Sequence, residues 1–284
     1  MRPIKKSLQE YARGVAGGLL FSLPLLYTME VWWMGVVAHP WRLSLYVLAT
    51  FVLLLGYNRF VGLRRDSCFT EVAIDSIEEM GLGLLIAFVT LWVLGRITFD
   101  MTTAEIAGIT VIEAMTVAIG VSVGTAQLGG GGIDDEGEAS NGGDGETGGA
   151  AEQQVTFGGQ LVLAWCGAVL FAANVAPTEE IVMIAAEISA WRVFALALLS
   201  LLFGALILYY IDFTGSQKFM QAVAHHGVLA GTVVTYAVAL AAAALILWFF
   251  GRFDGQPLIG CLAQAVVLGV AAMLGAAAGR LLLQ

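Results

Sequence analysis

Charge is scarce in this chain: Asp, Glu, Lys and Arg make up 12% of its 284 residues, about half the share usual in a soluble domain. A water-soluble domain of ordinary composition is excluded and no nucleic-acid partner is expected; much of the net charge of −9 belongs to residues 129–154 and is not a surface field. Histidine occurs three times with no pair at zinc-ligand spacing, and Cys68, Cys166 and Cys261 lie far apart with no Cys-x-x-Cys. No disulfide framework, structural zinc or catalytic constellation is expected.

What the chain has instead is apolar surface. Hydrophobic residues make up 59% and the mean hydropathy is +0.85, the composition of an integral membrane protein whose first partner is the lipid bilayer. Crossing about 30 Å of hydrocarbon takes roughly 20 apolar residues. Eight segments approach that length, at about 13–37, 42–63, 72–97, 102–128, 156–177, 190–212, 219–250 and 256–283. The basic start, Met-Arg-Pro-Ile-Lys-Lys, has no small-x-small site behind it, so the first span is read as retained and not as a signal peptide.

The chain contains one stretch twice. Phe21, Thr28, Glu30, Trp41 and Arg42 return as Phe171, Thr178, Glu180, Trp191 and Arg192, each 150 positions later. The series continues: Tyr57-x-Arg59-Phe60-x-Gly62 answers Tyr210-x-Asp212-Phe213-x-Gly215, Trp92-x-x-Gly95-Arg96 answers Trp248-x-x-Gly251-Arg252, and Gly120-x-x-x-Gly124 answers Gly275-x-x-x-Gly279. The expected fold is therefore all-α, with eight transmembrane helices as two parallel four-helix repeats, residues 1–128 and 155–284. An even number of spans per repeat implies an axis along the membrane normal. Gly-x-x-x-Gly predicts close helix contact, with spans four and eight meeting each other across that axis. Arg59 and Asp212, equivalent and opposite in charge, are candidates for a salt bridge between repeats.

Residues 129–154 join the repeats. They are rich in Gly and carry seven of the 22 acidic residues, so the segment is expected to be a disordered tether. Nine of the 13 Lys and Arg fall on one side if the N-terminus is inside. Both termini and the linker are then expected to be cytoplasmic, in a plasma-membrane protein.

Pro24 and Pro177 each interrupt a span and are followed by Thr28-Met29-Glu30 and Thr178-Glu179-Glu180. Proline removes a helix hydrogen bond, and broken membrane helices with free carbonyls and side-chain oxygens bind ions in many transporters. Glu30, Glu180, Thr28, Thr178, Asn174 and Glu179 are thus candidate ion ligands, with Glu30 and Glu180 the pair for a hard metal. Oxygen donors suit calcium, another divalent cation or a proton; no other cofactor is expected. The competing account is that these residues cap half-helices at the water interface.

Glu113 lies close to the midplane of the fourth span and has no acidic counterpart in the second repeat. It is a candidate relay. Asp75, Glu78 and Glu79 share a helix face at the cytoplasmic start of the third span, and His225 and His226 lie at the matching end of the seventh. Together they are read as a cation-attracting mouth, against solvated helix ends.

The stretch Arg13-Gly-x-x-Gly-Gly-Leu-Leu-Phe-Ser-Leu-Pro-Leu-Leu-Tyr-Thr-Met-Glu, with Asn174-x-Ala-Pro-Thr-Glu-Glu, resembles an uncharacterised prokaryotic family of predicted multi-spanning integral membrane proteins. The resemblance covers the whole chain and implies the fold class but no activity. Ala176-Pro177-Thr-Glu179-Glu180 also looks like the Glu-Glu-x-x-x-Arg element of intramembrane CAAX-type proteases, but Ile184 stands where the arginine belongs. The expected function is a cation channel or proton-coupled cation transporter. A structural or sensory membrane protein is the alternative, and an intramembrane protease a weaker one. Oligomeric state is left open.

Overall fold

The structure, a computed structural model, describes residues 4–61, 68–127, 157–210 and 226–282. The linker at 129–154, Asp212 and His225 lie outside the described residues, as does the side chain of His226. Ten helices are described, with no strand among the described residues: α1 (Ile4–Leu26), α2 (Met29–Val37), α3 (Pro40–Phe60), α4 (Phe69–Val93), α5 (Thr103–Gln127), α6 (Phe157–Ala173), α7 (Glu179–Glu187), α8 (Ala190–Tyr210), α9 (His226–Phe249) and α10 (Leu258–Leu282).

Local chemistry sets the helix ends. Helix α3 starts at Pro40, where a missing N–H costs nothing, behind His39, whose Nδ1 accepts from Trp41 N at 3.4 Å. Helix α5 starts with a reciprocal capping box. Thr102 N donates to Glu105 Oε2 at 2.8 Å and Glu105 N donates to Thr102 Oγ1 at 3.3 Å, which satisfies two orphan donors. Helices α4 and α9 stop at Gly95 and Gly251, both at φ 68°, a left-handed conformation that glycine adopts without steric cost. The closing bonds match: Arg96 N to Leu91 O at 2.8 Å, and Arg252 N to Leu247 O at 2.9 Å.

Among the described residues five helices, α3, α5, α8, α9 and α10, are long and apolar enough to cross a membrane, and the count is six if α1 and α2, bent by 85° to one another, form one span. That is fewer than the eight expected. The described part of α6 has only 17 residues, and α4 opens with Glu71, Asp75, Glu78 and Glu79. The bend falls at Tyr27–Thr28, just past Pro24, which itself stays inside the last turn of α1.

Helix α5 is buried along most of its length and packs against α1, α2, α3 and α4; α10 packs likewise against α6, α7, α8 and α9. The glycine motifs explain the closest of these contacts and correct one expectation. Gly120 and Gly124 do not meet Gly275 and Gly279. A Cβ on Gly124 would lie 2.5 Å from Gly17 Cα in α1, and one on Gly279 would lie 3.3 Å from Gly167 Cα in α6. Each motif serves the first helix of its own series, because only paired glycines let two helix backbones touch. Helices α1, α3 and α5 then meet the second series through α6.

Candidate functional site

Each of the two proline-containing breaks gathers polar groups at a partly exposed place in the fold. Thr28 donates its hydroxyl to Pro24 O at 2.7 Å, and Thr178 donates to Val175 O at 2.8 Å. Neither hydroxyl caps the half-helix that follows. Both threonines instead satisfy carbonyls at the break. Glu30 opens α2 and is partly buried; Glu179 and Glu180 open α7 and are exposed. Acids in a first turn complement the helix dipole.

Asn174 connects the two breaks. Its Nδ2 donates to Leu170 O at 2.6 Å and, across to the first series, to Phe21 O at 3.1 Å. Arginines brace both half-helices from the far ends of α4 and α9. Arg96 lies over the Trp32 ring at 4.8 Å, and Arg252 Nη2 donates to Pro177 O.

Glu113 is fully buried, and neither of its carboxylate oxygens has a hydrogen-bond partner among the described residues. Its height in the fold follows from the glycine contacts. Gly17 of α1 lies against Gly120 and Gly124, whereas Gly35 of α2 lies against Gly108 and Ile109. The antiparallel register therefore brings Glu113, between those contacts, to the level of the α1–α2 bend. Tyr46 is within electrostatic reach of Glu113 but shares its hydroxyl with Thr116 Oγ1 at 3.1 Å.

A second buried polar group lies nearer the other end of α5. Asn58 of α3 donates to Glu79 Oε2 at 2.7 Å and to Ser76 Oγ at 3.1 Å, and its Oδ1 accepts from Ser122 Oγ at 3.0 Å. Only part of the predicted acidic face belongs here: Glu79 turns inward, Asp75 is partly buried, and Glu78 is exposed. The matching region of the second series carries opposite charge. Arg280, buried at the end of α10, donates to Gln160 Oε1 at 2.8 Å, to Thr235 Oγ1, and to Gly231 O at 3.2 Å.

Sequence reasoning overlooked Asn58, Ser122 and the burial of Arg280. Asn58 is the unassigned position inside Tyr57-x-Arg59, and a polar residue interrupting the end of a span was the available signal. Among the described residues no group of three or more His, Cys, Asp or Glu is placed to hold a metal ion. Calcium takes six to eight oxygen ligands, so the described carboxylates do not assemble a closed cage for it. Cys68, Cys166 and Cys261 are all free thiols.

The fold and its buried acid define an all-helical integral membrane protein whose first two helices meet at a sharp bend. The chain belongs to the family described as "Putative integral membrane protein (DUF2391)", whose model matches residues 10–283. No curated protein and no solved structure matches it.

Proposed function

We propose that this protein moves protons or a cation across the membrane, as a channel or as a proton-coupled transporter, with Glu113 as the buried relay. The observation that carries this reading is Glu113 itself, completely buried with both carboxylate oxygens unpartnered among the described residues, at the level of a helix break. A buried ionisable group costs several kcal/mol unless paired, and inside a membrane such a group marks an ion or proton route by default.

In this reading the duplicated Thr-x-Glu elements form the outer entrance. Glu30, Glu179 and Glu180 start the two half-helices there, with Thr28, Thr178 and Asn174 around the breaks, and a divalent cation such as calcium is a candidate cargo. The group of Asn58, Ser76, Glu79 and Ser122 is the inner end of the route, with Asp75 and Glu78 beside it. The architecture in which this works is eight spans in two parallel repeats related by an axis along the membrane normal. Helix-by-helix correspondence of α1–α5 with α6–α10 and the twin glycine stops at Gly95 and Gly251 support it. The distribution of Lys and Arg supports cytoplasmic termini in a plasma membrane.

Ion flux in proteoliposomes, followed with pH- and calcium-sensitive dyes, tests the reading. The native chain is compared with Glu113→Gln, Glu30→Gln and Glu180→Gln. Flux that falls to the level of empty liposomes in Glu113→Gln, with the fold retained, supports the relay. A native chain that passes no ion under any gradient favours the structural or sensory reading, for which the first-turn positions of Glu30, Glu179 and Glu180 are the specific support.

A further inference from the structure

A cleft of about 660 Å³ lies between α3, α6 and α9. Its walls include Leu45, Ala49 and Gly56 from α3, Val162 and Trp165 from α6, and Ile246 from α9. The walls are almost wholly apolar, and Tyr46 commits its hydroxyl to Thr116. Leu45, Leu48, Val52 and Leu245 are exposed along its edges, so the cleft opens toward the surface that faces lipid.

Its length identifies what fits. From Leu45 to Gly56 the cleft follows α3 for about 16 Å at 1.5 Å per residue, which is close to half of the roughly 30 Å hydrocarbon core, the depth of one leaflet, and an extended acyl chain spans that depth.

The cleft also has a polar rim at one end. Trp248 lines the cleft, and its ring centroid is 6.0 Å from that of Trp41. Arg42 lies over Trp41 at 5.7 Å and pairs with Asp254 at 3.2 Å. Arg42 is three residues before Leu45 and so on the same side of α3. Tryptophan with arginine at a helix end marks the headgroup level. There the guanidinium suits a phosphate, while the Asp254 carboxylate, 63% exposed, suits an ammonium and opposes a second negative charge.

We propose that this cleft holds one acyl chain of a membrane phospholipid with an ethanolamine headgroup, its phosphate on Arg42 and its ammonium on Asp254. The lipid bridges the two helix series, since α3 belongs to one and α6 and α9 to the other.

The test is native mass spectrometry of the full chain in mild detergent, titrated with dioleoyl phosphatidylethanolamine or dioleoyl phosphatidylglycerol at equal concentration. The native chain should retain the ethanolamine lipid about tenfold better, a difference of about 1.4 kcal/mol. Asp254→Asn should erase that preference, and Arg42→Gln should lower retention of both lipids. Ala49→Trp should lower retention of both lipids by filling the slot, and Leu198→Trp, on the exposed face of α8, should retain them as the native chain does. Equal retention of the two headgroups by the native chain, native-like preference in Asp254→Asn, native-like retention by Arg42→Gln, or native-like retention by a folded Ala49→Trp overturns the proposal.

Discussion

Gly17 and Gly124 meet backbone to backbone, so closely that a methyl on Gly124 would stand 2.5 Å from Gly17 Cα and 2.8 Å from Arg13 O. Both obstructions are main chain, which cannot rotate aside as a side chain can. Gly124→Ala should therefore destabilise the protein by about 1–3 kcal/mol, the usual cost of overpacking. Gly81→Ala in α4, where a Cβ meets nothing within 4 Å, is the control and should be neutral or slightly stabilising. Thermal unfolding in detergent separates the two.

Gly95 and Gly251 share φ 68°, but their surroundings differ. A Cβ on Gly95 meets nothing within 4 Å, whereas one on Gly251 comes to 3.2 Å from both Arg42 Nη1 and Asp254 Oδ2. Gly95→Ala should thus cost only the left-handed backbone penalty, about 1–2 kcal/mol. Gly251→Ala should cost as much and also displace the Arg42–Asp254 pair. The excess should shrink at high salt, since an exposed pair contributes about 1 kcal/mol or less.

Asn58 ties α3 to α4 and α5 through Glu79, Ser76 and Ser122. Asn58→Leu keeps a similar size but leaves those partners without their amide. The cost should be about 1–3 kcal/mol for each polar group left buried and unsatisfied. Combined with Ser122→Ala the loss should be less than additive, because the two share one hydrogen bond. Equilibrium unfolding of the two single variants and the double variant measures that coupling.

Glu113→Gln should leave the fold intact, because an amide has the same shape and no partner of the carboxylate is lost. Glu113→Lys should prevent accumulation of folded protein, since it would bury a longer cation with no counter-ion among the described residues. Size-exclusion profiles of the two variants check this independently of any flux.

Much of the organisation could be read along the chain. The break after Pro24 and the close contacts of Gly120 and Gly124 each follow from one residue's covalent geometry, whereas Gly95 and Gly251 figure in the sequence only as a repeat match and the structure shows them as helix stops. Such geometry acts within a few positions, so no partner need be known. The partners themselves were harder. The motif at Gly124 announced a tight contact, and the reading chose the equivalent helix of the other series where the fold uses Gly17 of its own. Nothing local distinguishes one glycine-bearing helix from another.

The buried polar groups were least legible. Asn58 and Ser122 are 64 positions apart and hydrogen bonded, and neither belongs to a recognisable motif. Arg280 counted as one more charge at a helix end until α10 carried it inward to Gln160 and Thr235. Of three acids that share a helix face, only Glu79 reaches Asn58, because the neighbours of α4, and not its own periodicity, decide which carboxylate is enclosed.

Composition alone therefore determined the solvent of this protein, since a chain with 12% charge and 59% hydrophobic residues buries its surface in lipid, and its long apolar runs satisfy their backbone there as helices. Local covalent geometry determined where those helices bend and stop. Tertiary structure decided which helices touch, and with that the burial of Glu113, the pairing of Asn58 with Glu79, and the cleft beside α3. Burial and hydrogen bonding depend on groups brought together from distant parts of the chain, and that meeting exists only once the helices have packed.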